Sequence, residues 1–76
     1  MKTRVYRVTR TGLYVLKVEE GRPPKIGTPL KGDNFYAKIL DVIGPVAEPF
    51  LVVKPIKGKL EEGESVDLKA VVKRRR

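Results

Sequence analysis

The chain contains no cysteine. A disulfide framework and a thiolate zinc cluster are therefore excluded as staples. It contains no histidine either, so the commonest metal ligand and general base is missing. No apolar run is long enough to span a bilayer as a helix. The N-terminal segment MKTRVYRVTR is basic and lacks an apolar signal core. These absences lead to the expectation of a cytoplasmic, soluble protein without metal or cofactor. Glutamine is absent and Asn34 is the only asparagine, while 34% of residues are charged. Few thermolabile residues and much charge fit a heat-loving source.

A domain of 76 residues buries little core. Without staples, such a chain gains most from a closed sheet or from a partner. The formal net charge is +8. Lys69, Lys73, Arg74, Arg75 and Arg76 supply five of the positive charges, with no acid among the last eight residues. Setting those five aside leaves +3 for residues 1–68. The expected organisation is one domain over 1–72 and a basic C-terminal tail over 73–76. Lys73, Arg74, Arg75 and Arg76 are candidates for RNA phosphate contact, or simply a solubilising run.

Helical periodicity is missing too; period-two alternation dominates. Arg4–Thr9 and Leu13–Val18 are β-rich runs around Arg10-Thr11-Gly12, a hairpin connection with glycine in place. Both faces of the second run are apolar, which predicts cover on both sides. Residues 19–28, with Gly21, Pro23, Pro24 and Gly27, read as a loop. A short strand at Pro29–Lys31 and a turn over 31–34 follow. Strands are expected at Tyr36–Ile43 and Phe50–Lys54, then a polar loop from Gly58 to Gly63. In the last segment Val66, Leu68, Ala70 and Val72 alternate with polar positions, as in a half-buried strand. Six short strands at regular spacing predict an all-β fold, a small closed six-stranded barrel, because closure removes exposed edges.

Two strands break their own alternation. Ile39-Leu40 and Val42-Ile43 are adjacent apolar pairs, which demands a bulge near Leu40-Asp41 or a second covered face. Phe50 to Val53 is apolar throughout. If Leu51 and Val53 fill the barrel, Phe50 and Val52 point outward. With Ile43, Pro45 and Val46 they would form an exposed apolar patch, a sign of a protein interface. Between the strands, Gly44-Pro45 sets a rigid corner, and Pro49 holds Glu48 extended. Without a partner, the segment is a stiff strand connection.

The segment KILDVIGPVAEPFLVVK also resembles the signature of the H/ACA ribonucleoprotein subunit 1, or Gar-type, family. That signature is Asp-Val-(Phe/Ile)-Gly-Pro-Val, then Pro-Tyr/Phe, then apolar residues before Lys-Pro. Asp41, Val42, Ile43, Gly44, Pro45, Val46, Pro49, Phe50, Val53, Lys54 and Pro55 match it. Weaker matches lie at Pro24-Lys25-Ile26-Gly27 and Gly63-Glu64-Ser65-Val66. The chain departs from many relatives at Tyr36-Ala37, where they carry a glycine before the Ile-Leu-Asp segment. The resemblance implies a six-stranded barrel like the second domain of translation elongation factors. It implies a non-catalytic subunit that docks on the pseudouridine synthase of the guide-RNA particle and promotes rRNA and tRNA pseudouridylation and substrate turnover. The docking residues would be Ile43, Gly44, Pro45, Val46, Pro49, Phe50 and Val52, with guide RNA engaged mainly indirectly. Lacking the glycine-arginine-rich extensions of eukaryotic relatives, the chain is expected to be an archaeal form.

The residues themselves offer no assembled catalytic set. Glu61-Glu62-Gly63-Glu64 has the composition of a metal cluster, but carboxylates so placed usually carry solvated charge. Asp41 lacks a partner and reads as a hydrogen bond fixing the corner. The expectation is a non-enzyme. The competing class is a small basic barrel that binds RNA directly, as ribosomal proteins do. Its support is the tail, Arg4, Arg7 and Arg10, with Arg4 and Arg10 on one face if the strand register runs unbroken. Phe35-Tyr36 beside Lys38 is its only stacking candidate, and barrel core is the plainer use of that pair. Salt separates the two classes, since phosphate contacts weaken steeply as it rises.

Overall fold

The computed structural model describes residues 1–71, and the tail residues 73–76 proposed for RNA contact lie outside them. Seven strands follow in order: β1 (Lys2–Val8), β2 (Tyr14–Glu20), β3 (Pro29–Lys31), β4 (Tyr36–Ile43), β5 (Phe50–Lys57), β6 (Ser65–Asp67) and β7 (Lys69–Ala70). They form one sheet in the order β6-β1-β2-β5-β4-β3-β7, and every recorded pairing is antiparallel. The chain is all-β, as period-two patterning requires.

The two ends of that order are consecutive in the chain. β6 pairs with β1, and β7 pairs with β3. Only Leu68 separates them, so one C-terminal segment holds both edges and the sheet comes close to a closed barrel. The expected six strands become seven because this last strand is split. At Leu68 the backbone changes partner: its N–H donates to Met1 O at 2.9 Å, and Val71 N–H then donates to Pro29 O at 2.9 Å. Leu68 itself is fully buried. Its side chain plugs the seam that the change of partner would otherwise leave open.

Alternation decides what fills the interior. Tyr14, Leu16 and Val18 of β2 face in, as do Leu51 and Val53 of β5. Each fully buried leucine stabilises the fold by about 1.5–3 kcal/mol relative to an exposed one. Phe35 stacks on Tyr14 with ring centroids 5.5 Å apart. The Tyr14 hydroxyl accepts a hydrogen bond from Leu60 N–H at 3.1 Å, so the buried phenol is satisfied. Thr3 is the other buried side chain with a polar group among the described residues, and it donates to Val66 O at 2.9 Å.

β5 continues through Pro55 to Lys57, three residues beyond the sequence expectation. Proline is tolerated there because the pairing with β2 ends at Val53, leaving β5 partnered only by β4. The glutamate-rich loop is spent on local bonds. Glu64 Oε1 accepts from Glu61 N–H at 3.0 Å, and Glu62 Oε2 accepts from Val8 N–H at 3.1 Å. The first closes the loop on itself and the second ties it to β1, and no group of three or more potential metal ligands converges among the described residues. No described helix is long and apolar enough to cross a membrane.

Candidate functional site

The site is built by two irregularities in the ladder. In β4, Ile39 pairs with Val53 and Asp41 pairs with Val52, so Leu40 is an extra residue. This bulge sits where the adjacent apolar pairs demanded it. It lets Ile39 and Val42 both contact the core while Leu40 and Ile43 face outward. In β1, Val5 pairs with Leu16 and Arg7 with Val15, leaving Tyr6 as the extra residue. Tyr6 swings outside the barrel and meets the Phe50 ring edge-on, with centroids 5.1 Å apart.

Register then assembles a wall. Phe50 lies between Lys17 of β2 and Ile43 of β4, and Val52 lies between Val15 and Asp41. Phe50, Val52 and Val15 are half-buried, while Tyr6 is 62% exposed, Ile43 43% and Leu40 41%. These side chains form an apolar face across β1, β2, β5 and β4. Leu51 and Val53 are fully buried on the opposite side of the same strand, so the expected register of β5 holds.

The Gly-Pro corner overhangs one end of this face. Glu48 N–H donates to Pro45 O at 3.2 Å, which closes a turn with Val46 at its tip. Val46 is 99% exposed, an apolar side chain presented almost wholly to solvent. Two ties fix the corner. Lys17 Nζ pairs with Glu48 at 3.1 Å, and Val18 N–H donates to Pro49 O at 3.1 Å. Asp41 Oδ1 accepts from Val42 N–H at 2.8 Å, a local bond beside the Leu40 bulge and not one that reaches the corner.

Gly44 has φ of +92°, and a Cβ there would lie 3.1 Å from Phe50 Cδ1. Glycine is thus required by conformation and by the Phe50 ring at once. Gly44→Ala should cost about 1–3 kcal/mol of stability, by the usual strain of a left-handed non-glycine residue. A shift of the Phe50 ring resonances in an NMR spectrum is the companion readout, and an unshifted ring with unchanged stability would contradict this account.

Most of the sequence-assigned positions meet here. Ile43, Gly44, Pro45 and Val46 are exposed, and Phe50 and Val52 are half-exposed on the face. Pro49 differs from the others: it is buried, and its carbonyl accepts from Val18 N–H of β2. Pro49 positions the patch without presenting surface. Tyr6, Val15 and Leu40 were missed. The signal for Leu40 was the broken alternation itself. Tyr6 carried the same signal: Val5-Tyr6 is an adjacent apolar pair, and Val5 and Val8 lie three apart, which an unbroken alternation does not allow.

The weaker motifs separate. Gly27 N–H donates to Ile39 O at 2.7 Å, which lays the Pro24–Gly27 segment beside the β4 bulge. Gly63 N–H donates to Val5 O at 2.8 Å, placing the other motif on β1. The shared arginine face is not formed. The Tyr6 bulge breaks the register, β1 ends at Val8, and Arg4 is held by Glu19 at 3.1 Å and Gly63 O at 2.9 Å. Phe35 belongs to the core, whereas Tyr36 is half-exposed on the outer wall. No protein-family model, curated protein or solved structure matches the chain.

Proposed function

We propose that the chain is a non-catalytic docking subunit of an H/ACA-type guide-RNA particle, seated on the pseudouridine synthase through the wall and corner around Phe50. The observation that carries this reading is the coincidence of two independent things. The residues that resemble the Gar-type signature are the ones that overhang and floor the exposed apolar face. A rigid corner presenting Pro45 and Val46 beside Ile43, Phe50 and Tyr6 is pre-organised, so docking would order few side chains. The rim carries Arg4, Lys17, Asp41 and Glu48, matching the usual arrangement of apolar centre and polar edge. In this role the subunit favours pseudouridylation of rRNA and tRNA and substrate turnover, and works in the cytoplasm of an archaeal cell.

The test is calorimetric titration of the purified chain against the synthase subunit of an archaeal H/ACA particle. Val46→Asp places a charge at the corner tip without touching the core. It should lower affinity at least tenfold, by about 1.4 kcal/mol or more, because a buried unpaired carboxylate is costly. Its melting temperature should match the parent. Failure of the parent chain to bind, or equal binding by Val46→Asp, would refute the reading. Binding that falls steeply with salt would transfer weight to an electrostatic dock.

A further inference from the structure

The other end of the same outer wall is cationic. Lys69 of β7 pairs with Lys31 of β3, Lys31 with Tyr36 of β4, and Tyr36 with Lys57 of β5. In the neighbouring row Lys38 of β4 lies directly opposite Lys54 of β5. Cross-strand partners share a face, so five lysines lie on one face with the half-exposed Tyr36, Lys31 and Lys57 directly beside it and Lys69 one strand further out. None of the four ion pairs among the described residues involves them; those pairs use Met1, Lys2, Arg4 and Lys17. The flanking carboxylates are Asp33, Glu64 and Asp67, which line one depression with Lys31 and Lys69, and Asp41, beyond the Leu40 bulge, so Lys38, Lys54 and Lys57 make the least neutralised part of the face.

Like charges placed directly opposite destabilise a sheet. Lysines often guard a sheet edge, but β4 and β5 are interior strands here, so edge protection does not account for Lys38 and Lys54. A polyanion does. We propose that this lysine face, centred on Tyr36, binds the backbone of single-stranded nucleic acid. The lysines meet successive phosphates and the Tyr36 ring stacks a base. The strands place it apart from the apolar wall, at the Lys31–Tyr36–Lys57 end of β4 and β5, so a docked protein and a nucleic acid can share the barrel. The proposal is independent of the docking reading, because its test contains no partner protein.

The experiment measures binding of the full chain to oligouridylate and oligothymidylate of about 12 nucleotides, a length within the usual site size of such binders. Five phosphate contacts predict a slope of log affinity against log salt near −3.5, by the rule of about −0.7 per contact for single strands. The variant K38Q/K54Q should bind roughly 25-fold more weakly at 0.1 M salt, with the slope reduced by about 1.4. Tyr36→Leu should weaken binding roughly 5- to 10-fold while leaving the slope unchanged, as loss of stacking requires. The charge-matched control R7Q/R10Q removes two exposed cations at the β1–β2 end of the barrel and should change affinity less than about twofold. A stronger response to RNA than to DNA would identify the ligand class further, and either supports the site. Four results overturn it: equal loss in the control and in K38Q/K54Q; binding abolished by removing residues 73–76 yet unaffected by K38Q/K54Q; retention on phosphatidylserine vesicles without oligonucleotide binding; or no binding at all.

Discussion

Leu51→Ala should cost about 2–5 kcal/mol of folding stability, the range for truncating a leucine that leaves a cavity. Its neighbour Phe50→Ala should cost clearly less, because Phe50 is half-exposed and its loss opens no enclosed space. Binding should show the reverse order. Phe50 floors the apolar face, touches Tyr6 edge-on and packs under Gly44, so its removal should weaken docking by about 2 kcal/mol or more, as for a central aromatic anchor. Leu51→Ala should bind as the parent does at temperatures where it remains folded. Urea unfolding and calorimetric titration of both variants test the pair. Because Leu51→Ala consumes much of the stability of a domain this small, Leu51→Val serves as a milder companion. If Phe50→Ala unfolds the domain while Leu51→Ala is harmless, the strand register is off by one and the wall belongs to the core.

Gly58→Ala should be the most damaging single-methyl change in the chain. Gly58 follows β5 with φ of +88°, and an added Cβ would collide with Asn34 O and come within 3.1 Å of Phe35 Cα. Both obstacles are backbone, so no side chain can step aside. Backbone strain and overpacking each cost about 1–3 kcal/mol, and together they should remove about 3 kcal/mol or more. The displaced segment carries Phe35, whose ring stacks on Tyr14. Near-ultraviolet circular dichroism, which reports those rings, should therefore fall along with the denaturation midpoint. A variant with parental midpoint and parental aromatic signal would show that the Gly58 approach is looser than the structure describes.

What the sequence made legible follows from the side-chain period of a strand. Leu51 and Val53 inside, Phe50 and Val52 outside, and the bulge at Leu40 could all be read from runs too apolar for one buried face. Gly44-Pro45 and Pro49 likewise announced a corner through their backbone restrictions. Pro49, named with the docking residues, proved to be buried, because proline in a corner carries no periodicity from which burial could be read. The split at Leu68 was hidden for a related reason: alternation continues smoothly through it, and only a change of hydrogen-bonding partner marks the break.

The sequence by itself determined the all-β character, the strand faces and the excluded chemistries of cysteine and histidine, because these depend on residue type and spacing of two. Tertiary structure alone decided three things. It laid the Tyr6 ring against Phe50, it joined both sheet edges through one C-terminal segment, and it set Lys31, Lys38, Lys54, Lys57 and Lys69 on one face with Tyr36. Each rests on lateral register between strands distant in the chain, as when β5 lies against β2 across more than thirty residues of sequence. Register of that kind is fixed by how the whole barrel packs, and no local pattern encodes it.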